Sequence, residues 1–292
     1  MAVITVRGAD LAYDEAGSGP AVVFVHAALA DRRMWDHQFA ALASRYHVIR
    51  YDLRGYGESA DAAGSVAHHE DLLALLDALA LERAALVGCS MGGQYALDAA
   101  LAAPERVSAL GLICSWISGL AFPDETARLM QDAVRAAVPD ERRRAYRERT
   151  APRVDPADVA AIAEANVRVM VAGPGRQLDD LDPAVRDLAL EMCRGVFMRE
   201  WSGPVFEELD AEPPALDRMH EVGAPTLVIA GLADVPGVLT AADLLARGIP
   251  GARRLDLADT GHLPPLERPR EVTSALTDFL TGTTLRGAGL VQ

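Results

Sequence analysis

Short strand-like runs recur along this chain, and most of the gaps between them carry helical periodicity. The runs fall at residues 3–6, 11–13, 21–25, 46–51, 84–87, 107–114, 226–230 and 252–257. Residues 34–42, 94–102, 241–247 and 272–280 are helix-compatible, and Leu72, Leu75, Leu76 and Leu79 fall at i, i+3, i+4 and i+7 of an amphipathic helix. Parallel strands need crossover connections, usually helices, so this alternation predicts an α/β fold with a mostly parallel, eight-stranded sheet covered on both faces. The first two runs read as a hairpin.

Between the sixth and seventh runs the pattern changes. Residues 118–219 read as helical segments with no strand among them, and Asp155-Pro156 and Asp182-Pro183 each place a capping aspartate before a proline at the first helical position. The expectation is a core domain made of 1–117 and 220–292, with a helical cap over 118–219. Ligands of such sheets sit at the carboxyl ends of the strands, so an insertion leaving from one of those ends would roof the site.

Composition narrows the chemistry. Of 292 residues half are apolar and 24% charged, enough to bury one large core. All 28 basic residues are arginine, which excludes a lysine Schiff base, the usual pyridoxal phosphate anchor and a P-loop lysine. A net charge of −14 repels phosphate backbones and anionic lipids, so neither nucleic acid nor a membrane surface is an expected partner. The longest nearly uncharged stretch, 107–123, is short for a membrane span. No charged segment followed by an apolar one opens the chain, so a cytoplasmic location is expected. Cys89, Cys114 and Cys193 have neither disulfide-framework nor zinc spacing and read as packed, reduced thiols; no metal or cofactor is expected.

Directly after the run at 84–87 stands "GCSMGG", residues 88–93. Glycine two places before and two after Ser90 implies a turn too tight for a Cβ on either side. A serine hydroxyl becomes a useful nucleophile only when a base takes its proton, commonly a histidine held by a carboxylate. His262 lies just past the last run in "GHLPPLERP", on a loop stiffened by prolines. Asp234 follows the seventh run in "GLADVPG", at a strand's carboxyl end, while the loop after the sixth run carries Ser115, Trp116, Ile117 and Ser118 and no acid. Asp124 is a more distant candidate. Two backbone N–H groups should face the developing oxyanion: Met91, at the helix start, and Ala28, in the loop after the third run. Cys89 should point into the sheet, and His26 reads as a loop-stabilising residue.

Together "HAALADRRMW", "YDLRGYGES", "GCSMGG", "GLADVPG" and "GHLPPLERP", in the order Ser, Asp, His, resemble the α/β-hydrolase superfamily over nearly the whole chain except the helical insertion. By this resemblance Ser90 is the nucleophile, His262 the base and later acid, and Asp234 its orienter. Ala27 stands where that family most often has glycine. Within the superfamily the motifs are similar to the 3-oxoadipate enol-lactonase and arylesterase or perhydrolase groups. Serine at the turn argues against epoxide hydrolases and haloalkane dehalogenases, which need an aspartate there. The expected activity is hydrolysis of an ester or lactone of a small, largely apolar molecule through an acyl-enzyme. Alternatives are acyl transfer, perhydrolysis or carbon–carbon cleavage at the same site, or a receptor or retired enzyme on the same fold. Leu29, Trp116, Phe197, Trp201, Val235 and Leu263 are the candidate substrate-binding residues. Asp52, Arg54 and Ser59 are expected to hold their own loop together, and Arg142 to Arg149 to form a solvated helix face.

Overall fold

The computed structural model describes residues 1–288. Ten strands are present: β1 (Ala2–Val6), β2 (Ala9–Ala16), β3 (Ala21–Val25), β4 (His47–Tyr51), β5 (Gly64–Val66), β6 (Ala84–Cys89), β7 (Val107–Ile113), β8 (Phe206–Glu208), β9 (Thr226–Gly231) and β10 (Arg253–Leu257). Eight of them form one sheet in the order β1-β2-β4-β3-β6-β7-β9-β10. Pairing is antiparallel between β1 and β2 and between β2 and β4, and parallel from β4 onwards.

The sheet is buried on both faces because its strands are apolar on both. Val22, Phe24, Val87 and Cys89 enter one core cluster, whereas Val23, Val25 and Leu86 enter the other. This is the two-residue alternation of a strand acting on sequences with no polar side. Helices α1 (Asp36–Leu42), α2 (His68–Ala78), α3 (Met91–Ala102), α8 (Pro236–Gly248) and α10 (Pro269–Ala288) supply the covering layers. The short α9 (Pro264–Glu267) precedes α10. β3 has β4 on one side and β6 on the other. The chain order reverses there, and such a reversal opens a crevice at the carboxyl ends of the strands.

Between β7 and β9 lie α4 (Asp124–Ala137), α5 (Asp140–Arg147), α6 (Pro156–Asn166), a π-helical turn (Val167–Ala172) and α7 (Pro183–Ser202). Asp155 and Asp182 accept the N–H groups of Ala157 and Ala184 at 2.9 and 2.8 Å, the caps expected from sequence. These helices share their own small core of Val138, Tyr146, Val159, Ile162 and Trp201. One expectation needs correcting: the segment does contain a strand. β8 pairs in parallel with β5, another strand absent from the sequence reading. Three residues are too few to show periodicity, and each strand exists only because the other is there. Arg199 of α7 adds a second seam, donating to the carbonyls of Tyr56, Gly57 and Ser59 and to Asp61. Among the described residues no helix is long and apolar enough to cross a membrane.

Candidate active site

Ser90 leaves β6 at φ 56°, ψ −123° and starts α3 in one residue. A side chain in that region costs on the order of 1–3 kcal/mol and persists only where neighbours fix it. Here the Ser90 N–H donates to Ile113 (2.9 Å), and its carbonyl accepts from Gly93, Gln94 and Trp116 (3.0, 3.1 and 3.2 Å). The glycines permit the tightness. A Cβ on Gly88 would lie 2.1 Å from the Gly92 carbonyl oxygen, and one on Gly92 would lie 2.4 Å from the carbonyl oxygen of Val25. Strand, helix and the loop after β3 therefore meet at van der Waals limits around the serine.

The loops after β9 and β10 bring the other two residues to it. His262 Nε2 lies 2.8 Å from Ser90 Oγ, and its Nδ1 lies 2.6 Å from Asp234 Oδ2. The other carboxylate oxygen of Asp234 accepts the Val235 N–H at 2.7 Å. Both side chains are buried, so the imidazole has little freedom to rotate. Its backbone N–H donates to the Met170 carbonyl of the π-helical turn at 3.3 Å. A ring held in this way, with one nitrogen on a carboxylate and the other on a hydroxyl, can accept the serine proton. Asp124, the distant candidate, stands at the start of α4 with its side chain 92% exposed.

Ala28, Leu29 and Met91 line the same cavity as Ser90 and His262. None of their three N–H groups donates to a protein acceptor among the described residues. His26 explains why the Ala28 loop stays open. Its Nε2 accepts the Leu53 N–H (3.0 Å), so Nδ1 carries the proton and donates to the Ala27 carbonyl (2.8 Å). Burial pushes its pKa down, and the ring, with a backbone group on each nitrogen, acts as a strut of the loop. Asp52 braces the neighbouring loop, accepting the N–H groups of Arg32 and Glu58 and pairing with the Arg32 guanidinium. Arg54 pairs with Asp71, and Ser59 bridges the Asp52 carbonyl and the Ala12 N–H.

The cavity measures about 410 Å³. Trp116, Phe122, Met130, Met170 and Val238 form its apolar walls, with Trp116 and Phe122 stacked at 4.0 Å. Leu29 and Trp116 are therefore where the sequence reading put them, but four other candidates are not. Phe197 and Trp201 pack within the helical insertion, where Trp201 stacks on Tyr146 at 4.8 Å. Val235 and Leu263 are fully buried in the core. Their proximity in sequence to Asp234 and His262 misled, because both side chains turn into the main core cluster. Sequence reasoning missed Phe122, Met130, Met170 and Val238, together with the polar Gln94, Asn166, Glu208 and Asp210. Gln94 alone had a signal, since it sits one helical turn after Ser90.

Cys114, Asp234 and His262 bring three potential metal-ligating atoms within 4.8 Å. Their donor atoms are already engaged. Burial, then the Asp234 charge, pushes the Cys114 thiol well up, so it stays protonated; its sulfur accepts from Gly231 N–H and donates to the Gly261 carbonyl. Cys89 and Cys193 are likewise buried and unpaired, and the Cys89 thiol lies 3.5 Å from the His262 carbonyl.

Residues 22–275 match the model of the alpha/beta hydrolase family, and the chain belongs to that family. It is 31% identical over 324 residues to epoxide hydrolase A of Mycobacterium tuberculosis, with 97% of this chain and 98% of that protein covered. The 3-oxoadipate enol-lactonase 1 of Acinetobacter baylyi is 24% identical over 270 residues, 90% of this chain and 89% of that protein. A third relative is the dihydrolipoyllysine-residue acetyltransferase component of the acetoin cleaving system of Pseudomonas putida, 32% identical over 266 residues. That match takes in 90% of this chain but only 64% of the relative. Among solved structures, a thermophilic esterase from Thermogutta terrifontis superposes with a TM-score of 0.72 at 25% identity, over 97% of this chain and 98% of that one. The protein is accordingly a hydrolase of the α/β-hydrolase superfamily.

Proposed function

We propose that the protein hydrolyses an ester or lactone of a small, largely apolar molecule through an acyl-enzyme on Ser90. The observation that carries this reading is the single imidazole within hydrogen-bond distance of both a strained serine and a buried carboxylate. In the first step Ser90 Oγ attacks the carbonyl carbon while His262 Nε2 takes its proton. The N–H groups of Ala28 and Met91 hold the oxyanion, roughly 3 kcal/mol per donor in comparable sites. The tetrahedral adduct then collapses, the imidazolium protonates the leaving alkoxide, and the serine remains acylated. Water repeats the sequence, giving its proton to His262 and releasing the acid. Asp234 holds the imidazole in the needed tautomer and stabilises its charged form.

Serine at the turn separates this reading from epoxide opening by a carboxylate nucleophile, the chemistry that the name of the mycobacterial relative would suggest. Esterase and lactonase names among the relatives support acyl chemistry. The apolar walls support a small, largely apolar substrate. In this reading residues 118–219 act as a lid over a core made of 1–117 and 220–292. A fluorophosphonate probe with peptide mapping tests the nucleophile: labelling is expected at Ser90 and should be lost in His262→Ala. Ser90→Ala should lower p-nitrophenyl ester turnover by on the order of 10⁵-fold or more. Turnover within tenfold of the native rate in that variant would end the assignment.

A further inference from the structure

Away from Ser90 the polar groups of the cavity are two carboxamides and two carboxylates. Gln94 and Asn166 face it although they are only 6% and 8% exposed. One amide hydrogen of each is engaged: Asn166 Nδ2 donates to the Ile162 carbonyl at 2.8 Å, and Gln94 Nε2 donates to Asp210 Oδ1 at 3.2 Å. The carbonyl oxygen of each is open, with no partner among the described residues. Glu208 and Asp210, both partly open to solvent, complete the wall. Glu208 accepts the Tyr95 hydroxyl, yet neither carboxylate forms an ion pair within the described residues, in a protein whose arginines mostly do. No arginine lines the cavity among the described residues.

Such a wall offers four acceptor groups and two carboxylates without an ion pair, against at most one spare N–H on each of Gln94 and Asn166. Acceptors left open in such a wall are free to take hydrogen bonds from a ligand. An anion placed there would face two like charges without a counterion. An ammonium group has three N–H donors, no acceptor and the complementary charge. Its alkyl stem would lie against Met130 and the stacked Trp116–Phe122 pair, whose ring faces also favour a cation. Partial desolvation pushes the Glu208 carboxyl up, opposed by the Tyr95 hydroxyl and aided by the Asp210 charge, a condition that a neighbouring cation relieves.

We propose that the cavity selects esters whose acyl or alcohol part carries a protonated amine at the end of an apolar chain, with Gln94, Asn166, Glu208 and Asp210 receiving the ammonium. This deepens the proposed hydrolase reading and rests on it. The p-nitrophenyl esters of 6-aminohexanoate and 8-aminooctanoate test it against those of heptanoate and nonanoate, in which a methyl replaces the ammonium. The matching ω-hydroxy and ω-carboxy esters complete the series. At the better chain length kcat/KM for the amino ester should exceed that for its methyl isostere by about tenfold, and the ω-carboxy ester should fall below both. Glu208→Gln and Asp210→Asn should each shrink the amino-to-methyl ratio towards one; because the ratio is internal to each variant, partial loss of folded protein does not move it.

Equal or better turnover of the methyl ester at both lengths, with Ser90 labelled, would refute the cation and leave the hydrolase intact. A preference for the ω-hydroxy ester over the amino ester would refute it too, by assigning the acceptors to a neutral donor. Failure to turn over any ester, with Ser90 unlabelled, would remove the hydrolase reading and this inference with it.

Discussion

Asp98, on α3 two turns beyond Ser90, gives the most quantitative prediction. It is buried, and its Oδ1 accepts the Ser118 hydroxyl at 2.6 Å. Ser118 Oγ in turn accepts the Ala215 N–H at 2.8 Å. The helix that follows the Ser90 turn thus clasps both the start and the end of the inserted segment. Asp98 Oδ2 has no partner. Burial pushes the carboxyl up from 3.8 to about 6, against the pull of the Ser118 hydroxyl. A folded-state pKa above the unfolded one means that the folded protein binds the extra proton. The native state is therefore favoured below the unfolded pKa, and that advantage is lost as pH rises through the folded one.

A difference of just over two units is worth about 3 kcal/mol once the group is fully ionised, at about pH 8, and about 1.6 kcal/mol at about pH 5. Asp98→Asn removes the charge but keeps the oxygen that Ser118 needs. Its new amide hydrogens replace the unpartnered Oδ2, a cost of about 1 kcal/mol. The variant should therefore be more stable than the native protein by about 2 kcal/mol at about pH 8, and by about 1.4 kcal/mol less than that at about pH 5. Urea unfolding of both proteins at the two pH values measures the gap, and the other carboxylates cancel in the comparison. A gap independent of pH, or a less stable variant at the higher pH, would show that Asp98 is not held above its ordinary range.

Three further perturbations separate the roles of the parts. Asp234→Asn should preserve the fold and lower kcat for p-nitrophenyl esters by roughly 10⁴-fold, as expected when the orienting acid offers the wrong hydrogen-bond pattern; an unchanged kcat sends the search elsewhere. Gly92→Ala forces a methyl against the Val25 carbonyl, so it should cost about 1–3 kcal/mol in urea unfolding and slow ester turnover by displacing the Ala28 loop. Native values of both would contradict the close packing described above. Trp201→Ala should destabilise by about 3–5 kcal/mol, while Trp116→Ala should chiefly raise KM for apolar esters; the reverse assignment would put the cavity on the other side of α7.

The sheet was legible because each of its eight strands is a local run, and the crossover helices between them announce themselves by period. The strands β5 and β8 were not, since each is stabilised only by pairing with a segment about 140 positions away. The same distinction runs through the site. Ser90, Asp234 and His262 sit in turns whose glycines and prolines mark them in the sequence, and all three converge. The cavity walls carry no such mark. Met130, Asn166 and Met170 reach it from a helical segment whose packing depends on every other helix, and Glu208 arrives on the unrecognised strand. Phe197 and Trp201 were plausible by type, but which face of α7 they occupy is settled by Tyr146, a residue no local pattern connects with them.

The π-helical turn at Val167–Ala172 has a wider consequence. Its Met170 carbonyl receives the His262 N–H, and Val171 approaches Gly261 so closely that a Cβ there would sit 1.9 Å from the carbonyl oxygen. The inserted segment and the His262 loop are in that sense one mechanical part. Remodelling for a bulkier substrate has latitude at Phe122, just before α4, and at Met130 within it, but a change in the coil of 167–172 would be felt at the imidazole before the substrate was.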